Sequence, residues 1–142
     1  MLKIRTPLGF AVSLIFLVGR SEATQWQEMD EETLYRFIFD DVDVDHIILN
    51  DRICNVYLRC FYSTGPCTNL AGAIRSKIPE VFSTVCGKCT DKQKAIWHHI
   101  LHIFIPRRPD EWKKILAIYD PDGSYWPNIK AFMDKPPPTY ED

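Results

Sequence analysis

The chain lacks the marks of most catalytic and nucleic-acid-binding proteins. It has no Gly-x-Ser-x-Gly elbow, no glycine-rich phosphate loop and no pairing of nucleophile with base. It has no basic surplus: 17 Lys and Arg stand against 19 Asp and Glu. Without a basic stripe there is no electrostatic footprint for a phosphate backbone, nor attraction to an anionic membrane. Long apolar runs are scarce as well. The longest, Leu8 to Gly19, has twelve residues, short of the roughly 20 that a helix needs to cross a bilayer. No segment shows a convincing strand alternation.

That apolar run has another reading. Lys3 and Arg5 precede it, and Ser21-Glu22-Ala23 supplies small residues where a cleavage site needs them. Residues 1–23 therefore read as a secretion signal peptide, outside the fold and with no integral membrane span. Removing them leaves 119 of 142 residues, one domain of ordinary size. The loss of Lys3, Arg5, Arg20 and Glu22 leaves 14 basic and 18 acidic residues. The expected product is a mildly acidic, extracellular, soluble domain over residues 24–134. A Pro-rich tail over 135–142 is expected to be disordered.

Five cysteines fall between residues 54 and 89. Four follow the spacing Cys60-x6-Cys67-x18-Cys86-x2-Cys89, and Cys54 is left over. Secretion implies that they are oxidised. Four cysteines permit three connectivities, and spacing alone does not choose. Sequence-local pairing, Cys60–Cys67 with Cys86–Cys89, is the reading adopted here, because each close pair brackets a turn. Such closures contribute roughly 2.5 and 2 kcal/mol by chain entropy, so helix packing must supply the rest. Cys54 lies in an apolar helical pattern and reads as a small buried hydrophobe. An exposed Cys54 would instead link a dimer; otherwise a monomer is expected.

Apolar spacing is helical nearly throughout. Asp43 is placed to cap a short helix carrying Val44, Ile47 and Ile48. Asp51 is placed to cap the next, with Ile53, Val56, Tyr57 and Cys60. Ser63-Thr64-Gly65-Pro66 makes a turn. Thr68 opens a helix with Ala71, Ile74, Ile78, Val81 and Phe82, which Pro79 should kink or divide. Thr90 and Gln93 form a capping box for the longest helix, with Ile96, Trp97, Ile100, Leu101, Phe104 and Ile105. Pro106 and Pro109 should stop it. A helix with Trp112, Ile115, Leu116 and Tyr119 follows, then the turn Asp120-Pro121-Asp122-Gly123. A short last helix holds Tyr125, Ile129 and Phe132. The fold class is all-α, with about six helices.

Three clusters invite chemistry and decline it. Cys86-Gly87-Lys88-Cys89 lacks the strand and βαβ context of a redox dithiol, and zinc on the same sulfurs suits no oxidising compartment. His98 and His102 have metal-ligand spacing, but no metalloprotease Glu or Asp accompanies them; with His99 they read as a solvated face. Asp120 and Asp122 form only part of a calcium loop and suit a turn better. No cofactor and no metal is expected. The aromatic residues Tyr57, Phe82, Trp97, Phe104, Trp112, Tyr119 and Tyr125 fall on or beside apolar stripes. They describe either a packed core or the wall of a ligand cavity, and periodicity does not separate the two.

The ordered set of motifs resembles the insect chemosensory protein family, also called OS-D-like. Beyond the cysteines, it comprises Asp43-Val44-Asp45 before Ile47-Ile48, Gly65-Pro66-Cys67-Thr68, and Cys86-Gly87-Lys88-Cys89-Thr90-Asp91-Lys92-Gln93-Lys94. Trp112-Lys113 and Tyr119-Asp120-Pro121-Asp122-Gly123-Ser124-Tyr125 complete it. The resemblance runs from about Tyr35 to Met133. It implies six helices around an apolar channel, two sequence-local disulfides, secretion into lymph or haemolymph, and reversible binding of long-chain lipids and semiochemicals without catalysis.

By the same resemblance Tyr57 lines the channel and Trp112 stands near its mouth. Phe39 occupies a position that is commonly Tyr, and Tyr125 one that is Tyr or Trp. Ile74, Ile78, Leu101, Phe104, Ile115 and Tyr119 fall at wall positions. Cys54 in place of an aliphatic, the segment Ile103 to Arg108, and the extra bulk of Trp97 and Trp126 depart from the pattern. A channel narrowed by Trp97 takes a shorter ligand, or none. Two functions follow: a carrier of long-chain apolar ligands, or an interaction or signalling protein with a closed core, acting through its surface or a Cys54 dimer.

Overall fold

The computed structural model describes residues 26–141; the expected signal peptide lies outside the described residues. Among these, seven α-helices and no strand occur. They are α1 (Glu31–Phe39), α2 (Val44–Leu49), α3 (Asp51–Phe61), α4 (Asn69–Thr84), α5 (Asp91–Arg107), α6 (Pro109–Tyr119) and α7 (Trp126–Asp134). The first was not read from the sequence. Asp30 caps it by accepting from the Thr33 amide at 2.9 Å, and Leu34, Tyr35, Ile38 and Phe39 are its buried face. Its first turn is acidic, with Glu31 and Glu32 ahead of that apolar face.

Local chemistry starts most helices as the sequence suggests. Asp43 caps α2 through the His46 amide at 3.0 Å. Thr68 caps α4 through Ala71 at 3.2 Å. Thr90 and Gln93 exchange capping bonds at 3.0 and 3.2 Å, as a capping box should. At α3 the cap is Asn50, not Asp51; its side chain accepts from the Ile53 amide at 3.1 Å.

Two prolines lie inside helices: Pro79 does not divide α4, and Pro106 does not end α5. Pro79 lies inside an unbroken α4; it removes the bond to the carbonyl four residues back, yet packing on both sides holds the helix together. Pro106 does not stop α5, which runs one residue further to Arg107. The break comes at Arg108, whose backbone is non-helical (φ −136°, ψ 63°), because the residue before Pro109 is pushed out of helical conformation. Pro109 then opens α6 at a position where its missing N–H costs nothing.

The two disulfides pair as expected, Cys60–Cys67 and Cys86–Cys89. One ties the end of α3 to the loop before α4. The other closes the turn between α4 and α5. Neither joins distant helices, so the fold depends on packing. Helix α5 is the centre of that packing, lying against α1, α2, α6 and α7. Helix α4 faces α1, α3 and α6. Gly72 on α4 makes room for Trp26: a Cβ there would lie 2.8 Å from the indole nitrogen.

The loop into α7 is organised by one buried carboxylate. Asp120 accepts from the backbone N–H groups of Tyr125 (3.0 Å) and Trp126 (2.9 Å). Two backbone amides at the start of α7 that have no partner within the helix are thereby satisfied. Gly123, at φ +67°, supplies the left-handed turn that brings them round.

Candidate functional site: an apolar cavity bounded by six helices

Side chains from α1 to α6 enclose a cavity of ≈ 170 Å³. Helix α1 contributes Ile38 and Phe39, α2 contributes Val44, Ile47 and Ile48, and α3 contributes Cys54, Tyr57, Leu58 and Phe61. Helix α4 adds Ile74, Lys77, Ile78, Val81 and Phe82. The floor comes from Trp97, Leu101 and Phe104 of α5 with Trp112 and Ile115 of α6. Leu101, Phe104, Trp112 and Ile115 are buried, whereas Val42, Val44, Ile47 and Tyr57 are half-buried, so the wall meets solvent on that side. The spacing explains the convergence. Positions 74, 77, 78, 81 and 82 share one face of α4, and 97, 101 and 104 share one face of α5.

Eight of the ten residues singled out in the sequence line this cavity: Phe39, Tyr57, Ile74, Ile78, Leu101, Phe104, Trp112 and Ile115. Two do not. Tyr119 turns its hydroxyl to the carbonyl of Phe61 at 2.6 Å and packs edge-on to Phe82. Tyr125 precedes α7 and hands its amide to Asp120. Trp112 also departs from the expected position at the mouth. It is buried, with Phe82, Phe104 and Trp126 around it at ring separations of 5.7, 6.4 and 5.7 Å.

Sequence reasoning missed Lys77, Val42 and the cavity contribution of α2. The helical stripe Ile74, Lys77, Ile78, Val81 was the available signal, with one cation set among aliphatics.

Few polar atoms face this cavity. The Trp112 indole N–H is buried with no hydrogen-bond partner among the described residues, a burden of about 1–3 kcal/mol unless a ligand or water meets it. Burial raises the pKa of Tyr57, so its phenol stays protonated and able to donate. Burial also raises the pKa of Cys54, the free cysteine, leaving an inert thiol inside the fold. A disulfide dimer through Cys54 would need a thiol at the surface, and this one is 3% exposed.

The histidines do not form a uniform solvated face. His99 is exposed and 2.7 Å from Asp45 on α2. His98 is half-buried, its Nε2 2.7 Å from the Lys135 carbonyl, and its ring sits against His102 and Phe132. Helix α7 covers that side of α5. Among the described residues no group of three or more His, Cys, Asp or Glu is placed to hold a metal ion. Nor is any helix there long and apolar enough to cross a membrane.

A model of the insect pheromone-binding family, A10/OS-D, matches residues 35–127. The chain belongs to this family. The match spans both disulfides and every residue that lines the cavity. Among relatives, the chain is 33% identical to ejaculatory bulb-specific protein 3 of Drosophila melanogaster over 100 residues, 70% of this chain and 79% of that protein. It is 37% identical to the putative odorant-binding protein A10 of the same species over 94 residues, 66% of this chain and 61% of that one. Allergen Tha p 1 of Thaumetopoea pityocampa is 27% identical over 123 residues, 87% and 96% of the two chains. An A10/OS-D family member with a largely apolar cavity fits the binding role in the family's description.

Proposed function

We propose that this protein is a secreted, non-enzymatic carrier that reversibly binds apolar chain molecules such as fatty acids, lipids and semiochemicals. It acts as a monomer in extracellular fluid. The observation that supports this reading is the cavity itself: ≈ 170 Å³, almost entirely hydrocarbon-walled, in the middle of a family member described as pheromone-binding. The cavity favours this reading over the closed-core alternative.

Burial supplies the affinity. Each methylene taken from water contributes about 0.8 kcal/mol. A chain of about ten to fourteen carbons reaches a dissociation constant on the order of ten micromolar once association and chain ordering are subtracted. The resting cavity is close in size to one of about 150 Å³ that takes up benzene. A long chain therefore places part of its length inside, and the remainder runs along the half-buried side chains of α2 and α3. The unpaired Trp112 N–H and the Tyr57 hydroxyl are donors for an oxygen on the ligand.

Native mass spectrometry of protein secreted from eukaryotic cells tests this reading. A co-purified lipid, or one equivalent of added fatty acid retained, is the expected result. An empty protein that retains none of a chain-length series would overturn it.

A further inference from the structure

Among the described residues that line the cavity, Lys77 alone carries a charge. Its stem lies against the apolar wall while its ammonium stays near solvent, with the side chain 20% exposed, as amphipathic side chains arrange themselves. The ammonium has two carboxylate partners, both at the long end of hydrogen-bond distance. Glu31 and Glu80 each approach it at only 3.4 Å. The ring of Tyr35 lies 5.5 Å away, within cation–π reach.

Both of those carboxylates have a better partner. Lys88, in the turn closed by Cys86–Cys89, reaches Glu80 at 2.8 Å and Glu31 at 3.0 Å. Tyr35 donates its hydroxyl to Glu80 at 2.8 Å. Lys88 and Tyr35 therefore keep the two glutamates satisfied when Lys77 turns away. Lys77 is thus a cation on the cavity lining whose two carboxylate partners do not depend on it alone.

We infer that Lys77 is the headgroup-selecting residue of the cavity, pairing its ammonium with the carboxylate of a fatty-acid ligand whose chain lies inside. The inference rests on the carrier reading above and adds to it the chemical class of the head. A carboxylate meets Lys77 by a charge-assisted hydrogen bond. An ester or alcohol of equal length gains only the burial of its chain. Preference for the acid over its methyl ester is then a property of one side chain.

Displacement of a neutral fluorescent probe by dodecanoic acid and by methyl dodecanoate at pH 7.5 tests this. Wild type should bind the acid about tenfold more tightly than the ester. Lys77→Met should bring the two within about twofold by weakening the acid alone, and Lys77→Arg should restore the preference. A wild-type preference for the acid that survives in Lys77→Met overturns the assignment, as does a wild type that binds both ligands equally. Failure of every ligand to displace the probe, or of the probe to bind, would remove the carrier reading and this inference with it. Thermal melting of each variant shows whether the fold is intact.

Discussion

Trp97 stacks on Phe132, with ring centroids 5.0 Å apart and planes 28° from parallel. Trp97 on α5 is buried, and Phe132 on α7 is half-buried against the core. The pair takes one face of the indole toward α7, so Trp97 forms part of the cavity wall rather than filling the space. The bulk that suggested a blocked channel is one part of its wall. Trp97→Phe should enlarge the cavity and raise affinity for the longest chains about four- to fifteenfold, equivalent to one or two further buried methylenes. It should also cost about 1–3 kcal/mol of stability through lost stacking and packing. Titration with fatty acids of increasing length reads the first effect, and urea denaturation the second. An unchanged length preference would mean that Trp97 does not bound the ligand.

Asp120 holds the start of α7 through two backbone amides, and Trp126 beside it packs against Trp112 in the cavity wall. Asp120→Ala leaves those amides without their acceptor in a buried place. The expected loss is about 2 kcal/mol, with Asp120→Asn intermediate because one acceptor oxygen remains. Urea midpoints at constant slope measure both. Equal stability of wild type and Asp120→Ala would show that solvent replaces the carboxylate at no cost.

The Glu80 carboxyl is held at about 2, against an ordinary 4.5, chiefly by Lys88 and then by the Tyr35 hydroxyl. Folding thus favours its ionised form, and the unfolded chain takes up the proton first. The stability it contributes is fully present above about pH 4.5 and drains as pH falls toward 2. Wild type should show a flat urea midpoint from pH 7 to 5 and a falling one below. Glu80→Gln should start lower at pH 7 and fall less steeply. Parallel acid limbs in the two proteins would assign the loss to other carboxylates.

Cys54 is buried in the cavity wall with its thiol pKa raised. A polar thiol reagent at pH 8 should leave the native protein unmodified over minutes and find one thiol per chain after denaturation. A small apolar reagent should react slowly, and a bound fatty acid should slow it further. Rapid native modification by the polar reagent would place Cys54 at the surface and revive a disulfide-linked dimer.

Much of this arrangement was legible because it is local. Caps at Asp43, Thr68 and Thr90 depend on side chains three residues from the amides they meet, and the disulfides close within their own turns. The family resemblance added eight of the cavity-lining residues. What escaped depended on distant partners. Helix α1 is covered by α4 and α5, and its acidic start masked its apolar face. Pro79 and Pro106 are tolerated because tertiary packing outweighs a lost helical bond. Tyr119 and Tyr125 share the aromatic pattern of true wall residues, but a carbonyl of Phe61 and the carboxylate of Asp120 decide where they sit. Lys77 went unread in the stripe; only its two carboxylate neighbours, and their shorter contacts with Lys88, give that position meaning.

The most direct test of the carrier account is titration of the purified protein with a fluorescent long-chain fatty-acid analogue, alongside Ile78→Trp. Ile78 is a half-buried wall residue, so the larger ring fills the cavity with limited cost to the fold. The account predicts saturable one-to-one binding to wild type, displaced by unlabelled fatty acid, and at least tenfold weaker binding to the filled variant with the same helical content. Equal binding to both proteins would place the ligand elsewhere, and absence of binding to wild type would contradict the account outright.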